Sequence, residues 1–236
     1  MTVCCKPYIA IIGDVKNSRK IPNRNEIQTK LRTVLDELNE KYKNEIASNF
    51  MITLGDEFQG LLHSGKFTLD MILTIERKMY PICFRFGIGV GEICTTINRD
   101  IPLGADGPAY HMARAMITEI KQSENKNKRT MVHMKIWIEN QNDINMLINS
   151  TFSLCAAVQS RWTERQREVI YNYLDSMESQ RDLAQRMGIN QSSINKKLTT
   201  SHFYTFQNAM ETVTHVLKDI EAYRYVILQN MCDSFH

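Results

Sequence analysis

The sequence predicts an α+β domain of the ferredoxin-like type, followed by an all-α helix-turn-helix domain. Three observations support this prediction. Up to Val90, segments with the apolar spacing of strands and helices follow one another in the order β-α-β-β-α-β. After residue 155 the apolar residues recur at helical spacing. A hydrophobic fraction of 43% and a charged fraction of 23% are ordinary for a globular chain that buries a core.

The first strand is predicted over Tyr8–Ile12, a short β-branched apolar run that ends before Gly13. Apolar residues at three- and four-residue spacing then predict a helix. Two apolar runs around a Gly-Asp turn predict a hairpin, and a second amphipathic helix leads to a glycine-containing strand. These later elements are expected at Arg24–Tyr42, Asn49–Thr53, Phe58–Leu62, Phe67–Met79 and Cys83–Val90.

The next elements complete the first domain. A helix is predicted over Pro108–Ile120, because proline suits the first helical turn. A polar, basic loop is expected at Ser123–Arg129, a strand at Met131–Ile138 and a helix at Asn140–Asn149. We therefore expect two domains, at 1–150 and 155–236.

The segment Ser179–Leu198 has the pattern of a helix-turn-helix. Ala184 is small where two helices cross, and Gly188 accepts the positive φ of a tight turn. The outward residues of the second helix carry amide, hydroxyl and ammonium groups, which bind base edges and phosphates in DNA. These predicted DNA-binding residues are Gln191, Ser192, Asn195, Lys196 and Lys197. The alternative is a helical pair that serves packing or dimerisation.

The charge of this segment is only mildly positive, with seven basic residues against five acidic ones between Arg161 and Leu198. Because DNA affinity depends on phosphate neutralisation, we expect a homodimer with two recognition helices. A long helix predicted at Tyr204–Leu228 supplies apolar residues for a dimer seam or for the core. The whole chain has a net charge of +3, which by itself indicates no nucleic-acid partner.

Two aspartates are candidate metal ligands. Asp14 follows the first predicted strand, and Asp56 lies at the tip of the hairpin. In a ferredoxin-like sheet these strands are neighbours, so the two carboxylates converge, and a cation between them relieves their repulsion. Mg²⁺ held by carboxylates and substrate phosphates is the usual solution. The backbone at Val15 and the Lys16 position are suited to cradle phosphate. The alternative is that both aspartates are solvated turn residues.

Several segments of the first domain resemble class III nucleotidyl cyclases and diguanylate cyclase domains. They are Ile11–Asp14, Thr53–Gln59, Arg85–Glu92 and Gly104–Arg114. The resemblance implies a nucleotidyl-cyclase-type sheet, with Asp14 and Asp56 as metal ligands and Arg114 as a phosphate contact. Leu54 stands where the diguanylate motif has its first glycine, and the segment Met51–Thr53 lacks a purine-reading lysine. These departures favour a relative that uses the fold to bind a nucleotide or for other phosphoryl chemistry over a working diguanylate or adenylate cyclase.

Over nearly its full length the chain is similar to the SatD family, which joins such a domain to a C-terminal helix-turn-helix. The resemblance is carried by Gly13–Arg19 and Gly55–Gly60. We therefore expect a DNA-binding regulator whose first domain binds a nucleotide or other phosphorylated ligand with Mg²⁺. One alternative is a metal-dependent nucleotidyl cyclase or nucleotidyltransferase-like enzyme. Another is a non-catalytic interaction module.

The compartment is predicted from what the sequence contains near its start and along its length. Lys6, Pro7 and Asp14 interrupt the first apolar run, so no signal peptide is expected. No uninterrupted apolar stretch has the roughly 18 residues of a membrane span. The six cysteines do not occur at zinc-ligand spacing. We expect a cytoplasmic protein without a membrane partner.

Overall fold

The computed structural model describes residues 7–18, 21–102, 104–126, 131–176 and 178–233. Of residues 221–233 it describes only the helical backbone. The strands are β1 (Tyr8–Val15), β2 (Ile46–Leu54), β3 (Glu57–Leu62), β4 (Phe84–Gly91) and β5 (Met134–Ile138). The helices are α1 (Arg24–Lys41), α2 (Thr68–Met79), α3 (Pro108–Lys126), α4 (Asn142–Gln159), α5 (Glu164–Ser176), α6 (Gln180–Arg186), α7 (Gln191–Thr200) and α8 (Phe203–Asp233).

The five strands form one mixed sheet in the order β2-β3-β1-β4-β5. β1 is central and pairs antiparallel with β3 and with β4, while β2 pairs antiparallel with β3. β5 lies parallel to β4 after the α3 crossover. The first four strands have the order and directions of a β-α-β-β-α-β unit. The predicted α+β sheet domain is therefore confirmed, with β5 as an added edge strand.

Alternate residues of β1 face opposite layers of the molecule. Ile9 and Ile11 belong to the large core, which is built with helices α1, α2 and the C-terminal helices. Ala10 and Ile12 face α3 in a smaller cluster. The same alternation places Asp14 on the α3 side of the sheet, which decides which charged groups it meets.

Glycines in β4 allow α3 to lie directly on the sheet. A Cβ atom added at Gly87 would stand 2.1 Å from the carbonyl oxygen of Ala113. One added at Gly89 would stand 2.0 Å from the carbonyl oxygen of Ala109. Both distances are too short for real contacts, so only glycine permits this close approach. The packing fixes the height of α3 above β1 and β4.

Helix α4 covers the open edge of β5 through two asparagines one turn apart. The amide of Asn145 accepts from the Ile138 N–H at 2.7 Å and donates to the Ile138 carbonyl at 2.8 Å. Asn149 makes the same pair of bonds to Ile136, both at 2.9 Å. The side chains thus satisfy backbone groups that an edge strand otherwise exposes.

The C-terminal helices pack on the same large core as the sheet. Ser179 and Asn190 cap the N-termini of α6 and α7 by accepting backbone N–H bonds. Gly188 takes a φ of +66° in the tight turn between these helices. Trp162 donates its indole N–H to the Ser201 carbonyl at 2.8 Å and lies edge-on to Phe206. These contacts hold α5, α7 and α8 together.

Several elements extend beyond their predicted limits, and three of these extensions change the interpretation of the sequence. β1 continues to Val15, so Asp14 lies inside the strand and not after it. α3 continues to Lys126, so the first part of the predicted loop at Ser123–Arg129 is wrong, while residues 127–130 lie outside the described part. α4 continues to Gln159, because Phe152 and Cys155 are buried on its inner face. The boundary expected between 150 and 155 thus falls within a helix, and the division into two domains stays a prediction.

None of the described helices is long and apolar enough to cross a membrane.

Candidate functional site

A row of charged residues crosses the sheet beneath α3. Asp14 lies opposite Glu57 of β3 on one side and opposite Arg85 of β4 on the other. Two carboxylates opposite each other on neighbouring strands are unfavourable unless each has a cation. Glu57 is paired with Arg114, at 3.1 Å. Asp14 has partners of its own.

Asp14 is buried, with 7% of its surface exposed, and both of its carboxylate oxygens are occupied. Arg85 donates from Nη1 to one oxygen at 2.6 Å. Lys121, from α3, donates from Nζ to the other at 3.0 Å. A buried carboxylate needs such compensation because the loss of water otherwise favours its neutral form.

Arg85 connects Asp14 to a second acidic residue of α3. Its Nε donates to Glu124 at 2.8 Å, and the ammonium of Lys16 reaches the other Glu124 oxygen at 2.7 Å. Burial alone raises the pKa of Glu124, but the hydrogen bonds and charges of Arg85 and Lys16 outweigh it, so the pKa is lowered. For Arg85, burial lowers the pKa and Glu124 and Asp14 raise it above its usual value. The result is a fixed network of alternating charges.

The end of β1 and the hairpin turn meet at one pocket. The N–H of Val15 donates to the carbonyl of Asp56 at 3.2 Å, which joins the two segments that carry the predicted ligands. Both aspartates line a pocket of about 560 Å³. Its other charged lining groups are basic: Arg24, Arg85 and Lys121. The structure therefore brings Asp14 and Asp56 to the same pocket, and it surrounds them with three cations.

The two aspartates of the pocket fit a metal ion only if a bound ligand supplies further oxygen atoms. Among the described residues no group of three or more His, Cys, Asp or Glu side chains is placed to hold a metal ion. Arg24 lies 3.7 Å from Asp56, and Asp14 is already paired. Mg²⁺ usually takes one or two protein carboxylates and completes its shell with water and phosphate oxygens. Two aspartates beside three basic side chains match that pattern.

The predicted phosphate contacts Lys16 and Arg114 lie outside the lining of this pocket. Lys16 is held by Glu124, and Arg114 by Glu57. Sequence reasoning missed the three cations that do line the pocket. Two signals for them existed: Arg85 is a charged residue within an apolar strand, and Lys121 follows Arg114 by two helical turns.

The five predicted DNA-binding residues lie on α7. Gln191, Ser192, Asn195 and Lys196 are exposed, and Lys197 is half-buried. Ser192 uses its hydroxyl to donate to the side-chain oxygen of Asn190 in the helix cap, at 2.9 Å. Two of the basic residues counted in this segment have partners within the chain, Arg186 at the surface and Arg167 half-buried. Arg186 pairs with Glu178, and Arg167 is enclosed by aromatic rings.

The family of the chain is shown by a match over most of its length. The SatD family matches residues 8–217. This chain is a member of the SatD family. The match covers far more than half of the sequence and includes both the sheet and the C-terminal helices. No curated protein matches the sequence of this SatD protein.

Solved structures that resemble this SatD-family chain include nucleotide cyclases. A bacterial light-regulated adenylyl cyclase has 13% identity and a TM-score of 0.40, over 66% of this chain and 81% of that one. The catalytic core of a rhodopsin-guanylyl cyclase, in complex with ATPαS, has 16% identity and a TM-score of 0.35. That match covers 48% of this chain and 72% of the cyclase.

The prediction that this SatD protein is a DNA-binding regulator is wrong. The similar structures described above are adenylyl and guanylyl cyclases, and neither they nor the family match supports a DNA partner. Of the basic residues counted near α7, Arg167 is half-buried and donates to the Gln159 carbonyl within the protein, so it does not add to an exposed basic face.

Proposed function

We propose that this SatD-family protein binds a nucleoside triphosphate with a divalent cation in the pocket of Asp14 and Asp56, and that it performs nucleotidyl cyclase or nucleotidyltransferase-like chemistry there. The observation that carries the proposal is the shared lining of that pocket by two aspartates and three cations. Its volume of about 560 Å³ lies within the range of small-molecule sites.

The charges of the pocket divide into two roles. Arg24 and Lys121 are partly exposed and able to turn toward a ligand, whereas Arg85 is held in place by Glu124. A guanidinium and an ammonium bind phosphate oxygens by charge-assisted hydrogen bonds. Asp14 and Asp56 would hold Mg²⁺, which when bound neutralises phosphate charge. Lys121 pairs with one Asp14 oxygen at 3.0 Å, and that oxygen would become available to the cation if Lys121 turned to a phosphate.

The reaction class follows from the same arrangement. In cyclisation a ribose hydroxyl oxygen forms a bond to the α-phosphorus, its proton passes to water, and the bond between the α-phosphorus and the pyrophosphate oxygen breaks. The cations of the pocket stabilise the charge that collects on the leaving pyrophosphate. No protein nucleophile is required, so positioning and electrostatics are what the chain contributes.

Turnover tests this proposal. The purified chain is incubated with each of the four nucleoside triphosphates and Mg²⁺ or Mn²⁺, and pyrophosphate and nucleotide products are separated by chromatography. We expect metal-dependent release of pyrophosphate from at least one nucleotide, and its loss in Asp56→Asn. The matched control is Asp100→Asn, which changes an exposed aspartate outside the pocket. Pyrophosphate release that is absent for all four nucleotides, or equal in both variants, contradicts the proposal.

We also propose that α6 and α7 form a helix-turn-helix used for packing within the protein, and that the chain is a homodimer. The packing role is supported by the buried residues Leu183, Ala184, Ile194 and Leu198, which face the common core. Light scattering after gel filtration tests the homodimer, because it measures the mass of the protein in solution directly. A monomer at all concentrations rejects the dimer.

A further inference from the structure

Helix α4 has an exposed face made almost entirely of uncharged side chains. Met146, Leu147 and Leu154 are 68%, 69% and 70% exposed, whereas the next most exposed large apolar residue of the described chain, Met131, reaches 54%. Asp143 is the one charged residue among the 18 residues of this helix. Large apolar side chains gathered on one surface of a folded protein are typical of a site that contacts another molecule.

The exposed residues of α4 form a stripe along the helix, the α4 stripe. Its members follow one another at alternating steps of four and three positions: Asp143, Leu147, Ser150, Leu154, Ala157 and Arg161. Arg161 lies just beyond the end of α4, where its N–H donates to the Val158 carbonyl at 3.1 Å and extends the helical turn. Steps of four and three are the spacing with which two helices pack side by side. The opposite side of α4 is already used, because Phe152 and Cys155 are buried there.

The α4 stripe complements a second copy of itself that runs in the opposite direction. When the two helices cross near Phe152, the large Leu147 of each copy meets the small Ala157 of the other. Leu154 likewise meets Ser150. Because a two-fold axis makes every contact twice, each copy supplies both the large side chain and the space that receives it. A pairing in the same direction instead places Leu147 against Leu147 and leaves a gap between the two Ala157 side chains.

The charges at the two ends of the α4 stripe also favour the opposite direction. Asp143 and Arg161 are both exposed, and the antiparallel pairing places each of them beside the opposite charge of the other copy. The same-direction pairing places Asp143 against Asp143 and Arg161 against Arg161. Exposed ion pairs add little affinity, whereas like charges that face each other disfavour an arrangement strongly. These two residues therefore determine the direction of the pairing more than its strength.

We propose that two copies of this chain associate through the α4 stripe, antiparallel about a two-fold axis near Phe152. This inference rests on the homodimer proposed above and names its surface. A helix of 18 residues is about 27 Å long, so the contact lies at the small end of protein interfaces, and we expect a dissociation constant in the micromolar range. None of the described residues that line the Asp14 pocket belongs to α4, so substitutions in the α4 stripe leave that pocket unchanged.

Sedimentation velocity of the full chain at concentrations from about 1 µM to about 100 µM tests the proposal. We expect Leu147→Lys and Leu154→Lys each to raise the dissociation constant of the dimer at least about tenfold, because each places an ammonium group of both copies in an apolar contact. Both leucines are exposed, so both variants are expected to keep the circular dichroism spectrum of the wild type. Ile101→Lys is the matched control, since this exposed isoleucine lies in a loop hydrogen-bonded to β2, at the opposite edge of the sheet from β5.

Charge reversal tests the direction of the pairing. We expect Asp143→Arg and Arg161→Asp each to weaken the dimer about fivefold or more, because each places like charges side by side at both ends of the contact. The double variant restores the opposite charges, and its dissociation constant should return to that of the wild type. In a same-direction pair each residue meets its own copy, so neither reversal changes the sign of a contact.

Three results overturn the proposal. A dimer that persists unchanged in both Leu147→Lys and Leu154→Lys keeps the homodimer and rejects α4 as its surface. A double charge variant as weak as the single variants rejects the antiparallel pairing. A wild type that stays monomeric throughout the concentration range rejects the homodimer itself. Pyrophosphate release is measured separately and decides the nucleotide proposal independently.

Discussion

At the scale of single residues, the candidate site rests on Asp14 and its partners. The position of Asp14 at the end of an apolar strand made it a candidate from the sequence alone. Its partners were not predictable in the same way, since Arg85 and Lys121 are 71 and 107 positions away along the chain. Only the antiparallel register of β1 with β4, and the height of α3 above them, bring these charges together.

Arg85 is the residue of the charge network whose substitution we expect to destabilise the protein most. We expect Arg85→Met to lower the free energy of unfolding by about 3 kcal/mol, because it leaves the buried Asp14 and the half-buried Glu124 with fewer partners. Lys43→Met is the control, since that lysine pairs with Glu40 at the surface, where ion pairs contribute about 1 kcal/mol or less. Urea unfolding at neutral pH measures both. Equal losses for the two variants contradict the network.

The pair of His133 and Glu76 predicts how stability depends on pH. The pKa of His133 is raised above its ordinary value of 6.5, so the folded state binds the proton more tightly than the unfolded state. This contribution is complete below pH 6.5 and is lost as the pH rises through the folded pKa. Glu76 favours the charged imidazole, whereas burial and Lys16 oppose it.

We therefore expect the urea midpoint of the wild type to fall between about pH 6 and about pH 9 by more than that of His133→Gln. His202→Gln serves as the control, because His202 is exposed in the turn before α8. Parallel curves for wild type and His133→Gln over this range show that the His133 pair does not titrate with folding.

At the scale of elements, the sequence predicted the secondary structure well where periodicity was strong. The hairpin, α1, α2 and β4 lie within a few residues of their expected limits. The ends of α3 and α4 were missed, because Lys121, Glu124 and Phe152 owe their helical state to tertiary partners and not to local pattern. The close packing of α3 on β4 was not expected either, although the alternating glycines of β4 were visible in the sequence.

Substitution of a β4 glycine tests that packing. Gly89→Val is expected to destabilise the protein by about 3 kcal/mol or more, because the new side chain meets the backbone of Ala109. The melting temperature measures the effect. Met51→Val, in the half-exposed part of β2, is the control and should cost less than about 1 kcal/mol. A Gly89→Val protein that melts like the wild type shows that α3 moves away from the sheet without penalty.

At the scale of the whole molecule, the function was harder to predict than the fold. The helix-turn-helix pattern describes how Ala184, Gly188 and Ile194 pack, and those requirements are the same whether or not the second helix meets DNA. The pattern therefore predicted the two helices, but it did not show whether they bind DNA. The carboxylates were more informative, because Asp14 and Asp56 do share a pocket.

The continuous core predicts how the chain unfolds. Phe206, Val213 and Leu217 of α8 belong to the same buried cluster as Ile9 and Ile11 of β1. We expect the segments 1–150 and 155–236 to unfold together, in one transition. Trp162 fluorescence, isolated by Trp137→Phe, and far-ultraviolet circular dichroism are followed in urea. Coincident curves support a shared core, and two separated transitions support independent domains.

The most direct test of the central claim is the thermal stability of the chain with ATP or GTP, with and without Mg²⁺. A ligand at about a hundred times its Kd stabilises by about 2.7 kcal/mol, or roughly 5 °C or more in Tm. We predict a shift that requires the metal and is lost in Asp56→Asn, while Asp100→Asn keeps it. No shift with either nucleotide, or the same shift in Asp56→Asn, would show that the pocket of Asp14 and Asp56 is not a nucleotide site.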